Sequence, residues 1–426
     1  MMGSPKMKLS VTSLLAALML ASPALAQSSD DITGSIATMV TRTAPSGKLA
    51  TKTEVIPDRQ EPAMLTQGSL RAMDGAIAMY EDILQRGGWP AVAEHDLAKG
   101  ARSDGVIALR QRLIAEGYLS FDSLAGPSPA TFDGDLRSAV KAFQGNHGLA
   151  GTGKVDDRTL AELNVPARAR LDTLYLNRTR IAAYSEGLGS RYILVNIPSA
   201  QLEAVNGGIV YSRHNIIAGK LDRPSPAVNS KVSEINFNPY WNAPVSIVRR
   251  DLIPKLLKDP DAMAKMHVRV FDGFNGPEID PHLVDWSVTP ADRYFFRQDP
   301  GDQNAMASMK INFPNKYNVY LHDTPARELF GQNARFVSSG CIRVDQVQVL
   351  VDWILSGQDG FDVNAIETIA ETGERLDQPV RDGPDIRIMY LTAWASEDGA
   401  IHFRPDIYDL DRTGFILGQP EPQNAT

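Results

Sequence analysis

The hydrophobic residues of this chain change their spacing near residue 190, and that change constrains the fold most. Before it, apolar positions recur every three or four residues. Leu70, Met73, Ile77, Tyr80, Ile83 and Leu84 line one face of a predicted helix over 67–86, which Gly87-Gly88-Trp89-Pro90 ends. Leu171, Leu174, Arg178 and Ile181 share one face of another helix within 166–190. From 191 the runs are short and β-branched. RYILVNI reads as a strand, and QLEAV and IVYSRHNIIAG flank Asn206-Gly207-Gly208, a hairpin signal. The reading is a multidomain α+β chain with its strands gathered in one mostly-β domain.

The 426 residues leave room for two to four domains, and 43% hydrophobic content is enough to fill their cores. A net charge of −8 argues against capture of nucleic acid by the surface as a whole. One cysteine, Cys341, excludes an intrachain disulfide and any all-cysteine metal site. The seven histidines are scattered without ligand spacing, and no phosphate-cradling glycine loop follows a strand. No metal or cofactor is expected.

Lys6 and Lys8 precede an uncharged apolar run over 9–22, and Ala24-Leu25-Ala26 follows the small-x-small rule. Residues 1–26 therefore read as a secretory signal peptide cleaved before Gln27, too short in its apolar run to span a bilayer. Export to the periplasm is expected, with no stable membrane insertion after cleavage. Residues 27–60, rich in Ser, Thr, Lys and Pro, read as a flexible lead-in.

Residues 61–100 read as a helical scaffold segment, and 101–165 as a compact unit of three short helices. The first helix carries Val106, Leu109 and Leu113, the second Leu136, Val140 and Phe143, and the third Leu160 and Leu163. The run TFDGDLRSAVKAFQGNHGL followed by GKVDDRTLAEL resembles the peptidoglycan-binding domain that carries an AV-x2-FQ-x3-GL core. That resemblance implies a module that binds the cell wall.

Residues 245–265 read as a helix capped near Ser246. Residues 268–310 read as a long irregular excursion, of the kind that forms lids or binding loops. KYNVYLH (316–322) reads as a strand that delivers His322, and QVQVLVDWIL (346–355) as an apolar helix. Ser338-Ser339-Gly340-Cys341 then sets a thiol among small residues, which let a substrate backbone approach and leave N–H groups for an oxyanion. A thiol needs a base to become a nucleophile, and His322 is the candidate.

The segment YLHDTPARELFGQNARFVSSGCIRV, with its flanks NPYWNAP and LTAWASEDGAIHFRPDIY, closely resembles the L,D-transpeptidase (YkuD-type) catalytic domain. The similarity is to the large periplasmic branch with a lid insertion and a peptidoglycan-binding domain, and it extends over roughly residues 65–410. It implies a catalytic domain over 191–356 with a lid at about 250–305, and a C-terminal scaffold segment over 357–426. It also implies a catalytic set of Cys341, His322, Gly340 and Ser339, with the Asp323 carbonyl orienting the imidazole and the Asp323 side chain capping its own turn. Ser339 stands where the family has histidine. Arg343 is expected to meet a substrate carboxylate, and Ser338, Tyr320, Trp241 and Asn238 to line the substrate site. The implied reaction releases D-Ala from peptidoglycan tetrapeptide stems through a Cys341 thioester and forms 3→3 cross-links. Carbapenems acylate the family's cysteine. The acceptor is left open among a second stem, water, a free D-amino acid and an outer-membrane protein amine. A non-catalytic cell-wall binder is the contrasting reading. A papain-like protease is disfavoured, because His322 precedes Cys341.

Overall fold

The structure is a computed structural model that describes residues 51–56 and 60–414. The expected signal peptide and residues 27–50 of the lead-in lie outside the described residues. Among the described residues, no helix is long and apolar enough to cross a membrane.

Three helices, Asp104–Ala115, Gly134–Asn146 and Asp157–Leu163, enclose Val106, Leu109, Leu113, Leu136, Val140, Phe143 and Leu163. Asp133 and Asp156 start the second and third by accepting from Leu136 N (2.9 Å) and Thr159 N (2.8 Å). The glycine-rich connection is fastened by Gln144, whose amide accepts from Gly153 N (2.8 Å) and donates to the Lys154 carbonyl (2.8 Å). This unit docks on the C-terminal segment. The His147 ring stacks on Phe143 and Phe403, and Arg404 donates to the Asn146 carbonyl at 2.8 Å.

The strands of the main sheet are, in chain order, β1 (Glu54–Val55), β2 (Arg191–Asn196), β3 (Gln201–Asn206), β4 (Ile209–Gly219), β5 (Val228–Lys231) and β6 (Glu234–Phe237). Three strands of a separate sheet follow: β7 (Trp241–Asn242), β8 (Val268–Phe271) and β9 (Phe295–Gln298). The main sheet resumes with β10 (Met309–Asn312), β11 (Leu321–His322), β12 (Phe336–Ser338), β13 (Ile342–Val344), β14 (Leu376–Pro379) and β15 (Asp385–Met389). Its order is β14-β6-β10-β11-β13-β4-β3-β2-β15-β5, with β1 and β12 also paired to β4.

The two halves of this sheet differ in what covers them. In β2, Ile193 and Val195 face a core shared with helix Val347–Leu355, while Tyr192 and Leu194 face helices Ser69–Gln85 and Ala167–Ser185. Burial on both faces explains the continuous apolar run. In β6, β10 and β13 only one face is apolar. Ile235, Phe237, Met309, Ile311, Ile342 and Val344 are buried, and alternate with Glu234, Asn236, Lys310, Asn312 and Arg343. The polar face is left for chemistry.

Several expectations need correction. Residues 51–56 are not lead-in: β1 pairs with Ser212 and Arg213 of β4, because Thr51, Thr53 and Val55 alternate with charged residues as an edge strand requires. The main sheet does not close at 356, where the catalytic domain was expected to end, since β14 and β15 from the C-terminal segment belong to it. The helix over 245–265 is broken, with a π-turn at Val248–Leu252, Pro254 in the next turn and a gap before Ala262–Lys265. It starts after Pro244 rather than on a Ser246 cap. The irregular excursion holds β8 and β9, and β9 pairs with both β8 and β7 around their own core from Trp241 to Met306. The inserted unit therefore begins before residue 250. Only Leu321–His322 of KYNVYLH is strand, because Asn315 holds 316–319 in a turn by accepting from Tyr317 N and Val319 N.

Buried histidines make the fold acid-sensitive. His214 on β4 shares its ring nitrogens with the Asp345 carbonyl (2.8 Å) and the Ser212 hydroxyl (2.9 Å), and burial pushes it down to about 4. Between that value and the ordinary 6.5 the unfolded chain binds a proton that the folded chain refuses. Stability therefore rises with pH through this window, and this group alone removes roughly 3 kcal/mol on acidification from 6.5 to 4. Calorimetry at stepped pH should show Tm falling on acidification, with a shallower slope in His214→Gln. A flat profile would contradict this account.

Candidate active site

Cross-strand partners in a sheet point their side chains to the same face. The register places Asp377, Asn236, Lys310, His322 and Arg343 in one row across β14, β6, β10, β11 and β13. Cys341 and Tyr320, two residues before Arg343 and His322, join the same face by period two. The strand order thus gathers a thiol, an imidazole, a phenol, an ammonium and a guanidinium from distant parts of the chain.

His322 is buried and its Nδ1 lies 2.6 Å from the Asp323 carbonyl. A carbonyl only accepts, so Nδ1 carries the hydrogen and Nε2 keeps its lone pair. Burial, with Arg343 nearby, pushes the imidazole down to about 3, so it is a neutral base at ordinary pH. The Asp323 side chain accepts from Ser308 Oγ (2.9 Å) and pairs with Arg327 (3.2 Å). It does not cap its own turn, a correction to the expectation; Thr324 does so by accepting from Ala326 N at 3.3 Å.

Cys341 is half-buried. Burial pushes its thiol up, while the N–H and phenol of Tyr320, then Lys310 and Arg343, pull it back. The resting pair is therefore neutral thiol and neutral imidazole rather than an ion pair. Tyr320 stacks edge-on against His322 with ring centroids 5.5 Å apart, and the Lys310 ammonium sits 4.4 Å from the centre of its ring. Lys310 was missed in the sequence because it falls within the stretch read as irregular. The signal was the M-K-I-N alternation of β10.

The turn that presents the thiol is a built object. Gly340 has φ of +116°, which L side chains rarely adopt. Ser338 Oγ donates to the Cys341 carbonyl (2.6 Å) and accepts from Gly340 N (3.1 Å). The Gly340 N–H is thereby engaged, so it is not the free oxyanion donor expected of it. The N–H groups of Ser339 and Cys341 make no hydrogen bond among the described residues. Ser338 is a buried strut of this turn rather than a substrate contact.

Ser339 is exposed, and its hydroxyl accepts from Arg223 (3.0 Å). Among the described residues its hydroxyl makes no hydrogen bond to Cys341 or His322. Arg343 has no ion-pair partner among the described residues, and its buried Nε has no hydrogen-bond partner there. The guanidinium has capacity for a carboxylate. Two expected wall residues are corrected. Trp241 is 7% exposed and belongs to the core of the inserted unit, with Tyr320 packed at the edge of that core. Asn238 is 5% exposed, with its amide donating to the Ile369 and Glu374 carbonyls, so it fixes backbone.

Comparison with known proteins bears on this arrangement. A family model described as "L,D-transpeptidase catalytic domain" matches residues 190–366, and one described as "Putative peptidoglycan binding domain" matches 102–163. A curated protein of Haemophilus influenzae named "Putative L,D-transpeptidase" is 36% identical over 221 residues, which are 52% of this chain and 44% of that protein. The matched region thus spans less than half of that relative's length. Similar solved structures include an L,D-transpeptidase from Mycobacterium smegmatis, at 13% identity over 47% of this chain and 58% of that one, TM-score 0.24. Another is the L,D-transpeptidase of Xylanimonas cellulosilytica, at 15% identity over 70% of this chain and 98% of that one, TM-score 0.21. Scores this low support no structural inference.

Proposed function

We propose, for a chain that carries an L,D-transpeptidase catalytic domain and a peptidoglycan-binding domain, that it is a periplasmic enzyme remodelling peptidoglycan through a Cys341 thioester. The observation that carries the reading is the neutral His322, oriented by the Asp323 carbonyl on the sheet face that holds Cys341. The donor is a tetrapeptide stem. His322 Nε2 takes the thiol proton as Sγ bonds the carbonyl carbon before the terminal D-Ala. The Ser339 and Cys341 N–H groups meet the oxyanion. The C–N bond then breaks, and the proton on His322 leaves with the D-Ala amine. A diaminopimelate side-chain amine of a second stem attacks the thioester next, yielding a 3→3 link. The acceptor's proton passes through His322 back to the thiol.

Arg343 anchors the carboxylate of the departing D-Ala. Arg343→Gln should lower kcat/KM for acylation by about 10–100-fold, the worth of one or two hydrogen bonds to a charged group. The loss should shrink with a donor whose terminal carboxyl is amidated. An equal loss on both donors would remove Arg343 from this role.

The reading as a whole is tested with a disaccharide-tetrapeptide and mass-resolved products. Cross-linked dimer with free D-Ala supports it. Tripeptide alone assigns water as the acceptor and overturns the cross-linking step. No product from folded protein overturns the enzyme and leaves a cell-wall binder.

A further inference from the structure

We propose that Arg223 is a positioning residue that ties the nucleophile turn to the inserted unit, so that the unit's position and the turn's shape change together. The role given to Cys341 rests on the function proposed above; the tie rests on contacts alone. The segment that follows β4 grips the turn residue by residue. Lys220 N donates to the Ser338 carbonyl (3.0 Å), Arg223 Nη1 to Ser339 Oγ (3.0 Å), and Ser225 Oγ to the Gly340 carbonyl (2.7 Å). Gly219 allows this grip, because a Cβ there would lie 2.2 Å from the Arg223 carbonyl.

The same guanidinium forms a two-pronged pair with Asp251, with Nη2 to Oδ1 at 2.9 Å and Nη1 to Oδ2. Asp251 lies in the π-helical turn Val248–Leu252 of the inserted unit, and π-turns commonly mark functional segments. The pair is well shielded, with side-chain exposures of 13% and 26%. The core of the inserted unit also packs on Tyr320, which stacks edge-on against His322 and pulls down the Cys341 thiol. The unit thus reaches the thiol's surroundings from two directions. Ser339 has a part in this: its small hydroxyl is an acceptor for Arg223, where a longer side chain would have to reach elsewhere.

Hydrogen–deuterium exchange on the full mature chain tests the tie, whether or not the protein is active. Arg223→Gln should speed exchange about three- to tenfold both in 245–258 and in 338–344. Asp251→Asn should do the same. Ser339→Ala, at an exposed site, should speed only 338–344. Arg223→Lys keeps one prong and should restore part of the protection in both segments. Exchange that rises only around 220–226, or in one segment alone for Arg223→Gln, would overturn the tie. Failure of the wild type to acylate would instead overturn the functional reading while these exchange results stand.

Discussion

Replacing His322 with glutamine should slow acylation of Cys341 by about 10²–10⁴-fold, the usual worth of a positioned general base. The physical reason is the resting state of the pair. Burial pushes the thiol above its ordinary value, so almost no thiolate exists at neutral pH. Attack then depends on removing the proton during the reaction, and His322 Nε2 is the free lone pair on that face. The pH profile follows. Because the imidazole is held down to about 3, its protonation cannot produce an acid limb between pH 5.5 and 7.5. The wild-type acylation rate should be flat there, apart from unfolding at the acid end. An inflection near pH 6–7 would mean that a site group changes its proton there and would contradict the neutral pair. Stopped-flow acylation across that range, read beside His322→Gln, makes the test.

Ending the chain at residue 366, where the match to the L,D-transpeptidase family model stops, should destroy the main-sheet domain rather than isolate it. The cut removes β15, which lies between β2 and β5, and β14, which covers β6. Ile386 and Ile388 are buried in the core under the site, and Met389 and Leu391 in the core against the helices. At about 1.5–3 kcal/mol each, four such side chains match the whole ~5–15 kcal/mol that holds a domain folded. Asn196 would also lose both its bonds to Leu391, at 2.9 and 3.1 Å. The truncated chain should be insoluble or lack near-UV circular dichroism, whereas one ending at 414 should melt cooperatively. A folded, acylable 1–366 fragment would refute this.

The parts of the fold with strong local signals were legible in the sequence. The helices of 104–163 announce themselves by period, and the hairpin after β3 by Asn206-Gly207-Gly208. The place of β14 and β15 in the sheet was not legible, because pairing with β6, β2 and β5 across more than 130 residues leaves no local mark. Within the inserted unit, expected as a lid, the strands β8 and β9 hid for a related reason: four residues long, they sit among Pro, Gly and Asp turns, which masks their alternation. At the site, Cys341 and His322 stood out because few residue types do nucleophilic work. Lys310, Arg223 and Ser225 did not, since their roles depend on register and on a loop that returns to the turn. Trp241 and Asn238 were misjudged because an aromatic or an amide near a site also suits a core or a backbone clamp.

The central claim is that Cys341 forms a thioester while neutral His322 moves the proton. Intact-mass measurement of the protein with a carbapenem tests it most directly, beside Cys341→Ala as control. One adduct of the drug's mass, present in the wild type and absent from the control, is the predicted result. A correctly folded wild type that stays unmodified, or an adduct that survives in Cys341→Ala, would contradict it.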